Sequence, residues 1–349
     1  MTPDTTARRL VQGIGLVAVV TMAASGLLLV LSSAGVTSLG TSRSTTAETD
    51  GAQVVAAATA AAVRAGGPAS SSAASVTTSG PQASTTAAPS ATVAPTTTAV
   101  PTGPGSVTIM FLSAPGEAQA ARPVYVYRPA VPDSTTLPVV YFLHGVPGGP
   151  DDLFRAGFAD YLNNAFQNGV APFVVVAPDG NGTSHDDTEW ADAVDGSDKI
   201  ESFLIDVVIP AVEGADGRDG AHRAIFGDSM GGYGAMNIAM RHPGVFSQVV
   251  SLAGYFHVDD PAGMFEGQQV AIDANSPDHH PEAATGLRIL LLDGTGESDP
   301  VIIGESARMS ALLRAAGVDN DFELAPGDDS YAFASSQFDR ITSFLEAGF

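Results

Sequence analysis

Arg223-Ala224-Ile225-Phe226-Gly227-Asp228-Ser229-Met230-Gly231-Gly232-Tyr233-Gly234 is the stretch that decides the fold. An apolar strand runs into a serine flanked by glycines, and a helical pattern follows from Met230 to Arg241. A serine on so sharp a strand-to-helix turn is held in strained backbone geometry, and only small neighbours such as Gly227 and Gly231 leave room for it. The turn projects the Ser229 hydroxyl past the sheet edge. It also aims the Met230 amide, at a helix N-terminus, at negative charge developing on a bound acyl group. The G-x-S-x-G spacing is common in isolation. The strand before it and the helix after it give it weight.

Outward from this turn, strands and helices alternate. Val107–Leu112 and Val124–Tyr127 read as strands, and Val139–Leu143 as a buried strand ending in His144-Gly145. Asp152 to Asn168 has helical spacing, and Phe173–Ala177 is a second buried strand closed by Pro178-Asp179-Gly180. Ile200 to Val212 is helical, Val249–Leu252 and Leu287–Leu292 are strands, and Gly304 to Ala316 is a helix. A strand over Asp321–Leu324 and a helix over Phe333–Leu345 close the chain. Continuous apolar strands between helices predict an α/β fold, a mostly parallel, doubly wound sheet with helices on both faces, over residues 106–349. Ligands of such sheets bind beyond the carboxyl ends of the strands. The chemistry-bearing motifs all sit there.

Loop His144-Gly145-Val146-Pro147-Gly148-Gly149 is placed to give a second oxyanion donor, the Val146 amide beside that of Met230, with His144 fixing the loop. Acid candidates follow the late strand in Gly294-Thr295-Gly296-Glu297-Ser298-Asp299-Pro300: Asp299 first, Glu297 second. The order serine, then acid, then histidine is that of α/β hydrolases. Trp190 either lines a pocket or packs under the loop.

The span 106–349 resembles the esterase-D-like family of α/β hydrolases, which takes in feruloyl esterases, S-formylglutathione hydrolases and the mycobacterial mycolyltransferases. Leu143-His144-Gly145, Val175 to Gly180, Glu189-Trp190, Val208-Ile209-Pro210, Gly227 to Gly232, Arg241-His242-Pro243 and Gly296 to Pro300 carry the resemblance. It implies a serine acyl-enzyme on an ester or thioester, with no metal and no cofactor. In this family the catalytic histidine sits in a late loop, typically Pro-Gly-Gly-His and an aromatic. Here the loop reads Pro326-Gly327-Asp328-Asp329-Ser330-Tyr331, with Asp329 in the histidine's place and no histidine after His280. Serine is a weak nucleophile without a base near pKa 7, and an ordinary carboxylate titrates near ~3.9. Among the remaining histidines, His257 and His185 lie in loops at the carboxyl edge and His279-His280 in a polar loop. His222 lies at the opposite end, and His242 ends a helix. Two functions therefore compete: an acyl-enzyme hydrolase or acyltransferase, and a degenerate relative that binds envelope glycan or lipid without turnover. The mycolyltransferase group includes such a non-catalytic member. A purely structural role gives no reason to keep a strained elbow and its glycines.

Composition bounds the setting. A formal charge of −23 over 349 residues leaves no basic stripe for nucleic acid or an anionic lipid surface. The absence of cysteine excludes disulfides, thiolate metal sites and a cysteine nucleophile. Residues 1–10 carry Arg8 and Arg9, and an apolar run over 11–31 is long enough to span a bilayer. The positive-inside rule then puts the C-terminal part outside a cell membrane, tethered through this segment alone. The alternative is secretion after signal cleavage. Residues 41–105 are almost wholly Ala, Thr, Ser, Pro, Gly and Val, and are expected to be a disordered spacer of about 45 Å. The expected partner is a small-molecule, lipid or glycan ester; nothing in the sequence signals an oligomeric state.

Overall fold

One eight-stranded sheet organises the chain, in the order β1-β2-β4-β3-β5-β6-β7-β8. The computed structural model describes residues 100–116, 121–132, 136–260 and 262–349. The expected membrane segment 11–31 lies outside them, as does the spacer 41–105 except for 100–105. Among the described residues no helix is long and apolar enough to cross a membrane.

The strands are β1 Ser106–Leu112, β2 Arg122–Arg128, β3 Val139–Leu143, β4 Val174–Pro178, β5 Arg223–Asp228, β6 Gln248–Leu252, β7 Arg288–Gly294 and β8 Asp321–Ala325. β1 pairs antiparallel with β2, and β2 antiparallel with β4; every later pairing is parallel. The helices are α1 Asp152–Arg155, α2 Phe158–Gln167, α3 Ile200–Ser202, α4 Ile209–Glu213, α5 Met230–Arg241, α6 Gln269–Ala274, α7 Glu305–Ala315, α8 Tyr331–Ser336 and α9 Phe338–Glu346.

Alternation along the strands builds two cores. Val139, Tyr141 and Leu143 of β3 join Ile225, Ile289 and Leu291 on one face, against α5 and α7. Val140 and Phe142 join Ala224, Phe226, Leu290 and Leu292 on the other, against α2 and α9. Strands buried on both faces have no polar side, which is why their sequences are unbroken apolar runs. This is the α/β-hydrolase fold, as expected from the sequence.

Three helical stretches differ in detail from their sequence pattern. Asp152–Asn168 breaks into α1 and α2 at Gly157, whose φ of +92° takes the chain out of the helix. A π turn, Phe203–Val208, joins α3 to α4. The closing helix breaks at Gln337. There the Ser335 and Ser336 hydroxyls donate to the carbonyls of Tyr331 and Phe333, each at 2.7 Å, and compete with the helical ladder. Its start is set by Ser330, whose hydroxyl accepts from the Phe333 amide at 3.3 Å. Loops at the carboxyl ends of β3, β5, β6, β7 and β8 then meet at one edge.

Candidate active site

Ser229 has φ +56° and ψ −121°, an unfavourable conformation for a residue with a side chain. The surroundings leave the chain no other path. The Ser229 amide donates to Leu252 O on β6 at 2.9 Å, and its carbonyl accepts from Tyr233 N at 3.1 Å. The backbones at the turn press together. A Cβ on Gly231 would lie 1.9 Å from Leu143 O, and one on Gly227 would lie 2.1 Å from Gly231 O. No side chain fits at either position, so the sequence must place glycine on both flanks.

The loop after β3 lies over the serine. A Cβ on Gly145 would stand 3.0 Å from Ser229 Cβ. His144 is buried and spent on this loop: Nδ1–H donates to Gly145 O at 2.9 Å, and Nε2 accepts from Gly180 N at 2.9 Å. Trp190, fully buried, packs against the His144 ring and donates from Nε1 to His144 O at 3.0 Å. It is the packed aromatic under the loop and is absent from the walls of the cavities beside Ser229. Neither the Val146 nor the Met230 amide donates a hydrogen bond among the described residues. Both remain available for an oxyanion.

Two cavities meet at Ser229. The first, about 410 Å³, is walled by Phe142, Leu153, Phe226, Leu252, Phe338 and Ile341, with Asp152, Asp228 and Asp329 among its polar groups. The second, about 350 Å³, is walled by Val146, Asp187, Glu189, Tyr255, His257 and Asp259. The loops after β7 and β8 are laced together, with Thr295 N donating to Ala325 O at 2.8 Å and Gly296 N to Gly327 O at 2.6 Å. This lacing carries Asp329 to the serine: its carboxyl lines both cavities and interacts with the Ser229 hydroxyl. Asp329 is exposed on its outer side. Protein atoms nonetheless crowd its carboxyl, and this burial pushes its pKa up. The Ser229 hydroxyl opposes the rise, whereas the charges of Glu297, Asp299 and Asp328 add to it. Asp228 is pushed up well beyond the carboxylate range, first by burial and then by Asp329 and Asp152. Burial also pushes Asp152 up, but the Gly149 amide, Arg155 and the Tyr331 hydroxyl together hold it below its ordinary value.

The two acids after β7 have different surroundings. Asp299 is exposed, and its Oδ1 accepts from Val301 N at 2.8 Å within its own turn. Glu297 is half-buried; Oε1 accepts the amides of Ser298 and Asp299, each at 2.6 Å, while Oε2 is buried with no hydrogen-bond partner among the described residues. Of the two, Glu297 acts more strongly on Asp329.

A family profile described as "Putative esterase" matches residues 117–344. The chain belongs to this esterase family. Among curated proteins it is similar to an uncharacterised protein of Corynebacterium glutamicum, 24% identical over 234 residues, covering 60% of this chain and 54% of that one. It is also similar to esterase Rv1288 of Mycobacterium tuberculosis, 34% identical over 122 residues, 34% of this chain and 25% of that one. The chain thus spans about half of the first relative and a quarter of the second. A ferulic acid esterase structure superposes with a TM-score of 0.62 at 21% identity, covering 71% of this chain and 100% of that one. MPT51 of Mycobacterium tuberculosis does so at 0.55 and 22% identity, covering 69% and 98%. At these identities the structures speak for the fold.

Within this esterase-family chain all seven histidines fall among the described residues. His185 pairs with Asp198 at 3.0 Å, His222 with Asp219 at 2.7 Å and His242 with Glu201 at 2.6 Å. His280 Nε2 lies 3.2 Å from Asp273 O. Only His144 and His257 line a cavity beside Ser229. His144 has both ring nitrogens engaged, and His257 Nδ1 lies 3.3 Å from Asp278. Asp152 and Asp228 line the first cavity and Glu189 the second; the sequence marked Asp228 only as part of the elbow, Glu189 only as part of the resemblance and Asp152 only as the start of a helix.

Proposed function

We propose that this esterase-family chain cleaves carboxylic esters, or transfers their acyl group, through an acyl-enzyme on Ser229, with Asp329 as the base. The observation that carries the reading is that Asp329 lines the same two cavities as Ser229, which sits at an intact elbow beside an apolar cavity. Ser229 Oγ attacks the ester carbonyl carbon while Asp329 takes the hydroxyl proton. The carbonyl oxygen becomes an oxyanion facing the Met230 and Val146 amides. The tetrahedral adduct collapses, the C–O bond to the alcohol breaks, and Asp329 returns the proton to the departing alkoxide. Water or an acceptor alcohol then repeats the sequence in reverse, with Asp329 taking its proton. The apolar cavity suits the acyl part of the ester, since its volume falls in the range of small-molecule sites.

Asp329 is a weaker base than an imidazole, but burial and neighbouring carboxylates raise its pKa toward a more useful range. Hydrolysis is therefore slow, and it requires the ionised form. Activity is present above the raised Asp329 pKa and falls as pH drops through it. Hydrolysis of p-nitrophenyl butyrate, measured from pH 4 to 9, tests this. Asp329→Asn is expected to lower kcat by about 10²-fold or more and to remove the acidic limb. An unchanged profile in that variant would remove Asp329 from the mechanism.

A second reading, ligand binding without turnover, is favoured by the absence, among the described residues, of a histidine hydrogen-bonded to Ser229 Oγ. It predicts saturable ester binding with no released alcohol on prolonged incubation. The extracytoplasmic setting rests on Arg8, Arg9 and the apolar run over 11–31. It predicts that protease added to intact cells cleaves the C-terminal domain.

A further inference from the structure

The geometry points to a divalent transition-metal site, of the kind Zn²⁺ occupies, formed by His257, Asp278 and His279, of which His257 also lines the second cavity beside Ser229. Each of the three offers one ligand atom, and these atoms lie within 4.8 Å of one another. His257 Nδ1 stands 3.3 Å from Asp278 Oδ1. Metal bonds of about 2.0–2.2 Å put tetrahedral ligands about 3.4 Å apart, so this pair already has the required spacing. The third ligand sits on the partly exposed ring of His279, which packs against the His257 ring at 5.1 Å.

Supporting contacts hold the ligands. Asp278 is largely buried, and its second oxygen, Oδ2, accepts from Arg308 at 2.8 Å. That leaves Oδ1 toward the histidines. Glu305 grips Arg308 from the other side at 2.8 and 2.6 Å. His279 Nδ1 lies 3.4 Å from Asp273 Oδ1, the kind of carboxylate contact that orients a metal-binding imidazole through its other nitrogen. The two chain segments are tied together, with Asp278 N donating to Phe256 O at 3.1 Å and Val258 N to Ser276 Oγ at 3.2 Å. Three carboxylates against one guanidinium leave local negative charge for a cation to balance. Two imidazoles and one carboxylate, with a fourth position open to solvent, form a donor set typical of Zn²⁺. This site is separate from the Ser229 chemistry and does not depend on it.

The test is Co²⁺ titration of the untagged full-length chain in detergent, read by visible absorption, with Zn²⁺ competition. One Co²⁺ per chain is expected, with tetrahedral-type bands that Zn²⁺ displaces. His257→Ala and His279→Ala should each weaken binding by about tenfold or more, while His222→Ala leaves it unchanged. Circular dichroism confirms that each variant is folded. Absence of saturable binding up to millimolar Co²⁺ would overturn the site, as would unchanged affinity in either of the first two variants.

Discussion

At the residue scale the decisive feature is Asp329, which stands in the loop where the resembled family carries a histidine. Asp329 lines both cavities with Ser229, and Glu297 keeps a buried Oε2 with no hydrogen-bond partner among the described residues. An imidazole introduced at position 329 is expected to take that oxygen as its partner. Asp329→His is therefore expected to raise kcat/KM for p-nitrophenyl butyrate by about 10²-fold or more. In that background Glu297→Gln should cost more of the gain than Asp299→Asn; the reverse order would show Asp299 to be the orienting acid. The strain at Ser229 gives a stability prediction. Ser229→Gly relieves the positive φ, which Ser229→Ala keeps. Glycine should be the more stable variant by about 1 kcal/mol in urea unfolding, with both inactive. Ser229, the Val146 loop and Asp329 were legible in the sequence, because each follows a recognisable strand at a fixed place in the motif order. The choice between Asp299 and Glu297 was not legible. Both lie in one short acidic loop, where nothing in the spacing tells the half-buried Glu297 from the exposed Asp299.

At the element scale the elbow is a three-way backbone contact between β3, β5 and α5. Gly231→Ala forces a Cβ against Leu143 O, and neither backbone has a flexible side chain to yield. A loss of about 3 kcal/mol or more is expected from thermal or urea unfolding, placing the variant among the severe single substitutions. Stability near wild type would mean that the strands pack less closely than described. The eight strands and α5 were readable because their apolar patterning is strong; β3, β4 and β6 are buried along their whole length, while the edge strands β1 and β8 are exposed or half-buried. The breaks at Gly157, at the π turn and at Gln337 were not, since the apolar spacing runs through all three. Backbone events of one residue decide them: a left-handed glycine, a widened turn, and serine hydroxyls competing for helix carbonyls.

At the scale of the whole molecule, carboxylates from several loops line the cleft: Asp152, Asp228 and Asp329 in the first cavity, Asp187, Glu189, Asp259 and Asp299 in the second. Glu189 is pushed up to about 8, mainly by burial, with the Asp187 charge adding to it and its hydrogen bond from Tyr255 opposing it. A carboxyl raised in the folded state binds its proton more tightly there than in the unfolded chain. Its contribution to stability is complete below the unfolded value near ~4.3 and is lost as pH rises through about 8. Glu189→Gln mimics the neutral form. Its melting temperature should fall less than that of the wild type between pH 5 and 8; parallel curves would contradict the burial of this group. Asp187 and Glu189 are near neighbours in the loop after β4, but their meeting with Tyr255, from the loop after β6, was not visible along the chain. The central claim remains that Ser229 is a working nucleophile despite the lost imidazole. Its most direct test is a fluorophosphonate probe on the full-length protein, with the modified peptide identified by mass spectrometry. Slow labelling of Ser229, absent in Ser229→Ala and slowed in Asp329→Asn, is the predicted result. No labelling of Ser229 at any pH from 5 to 9, in protein shown to be folded, would contradict it.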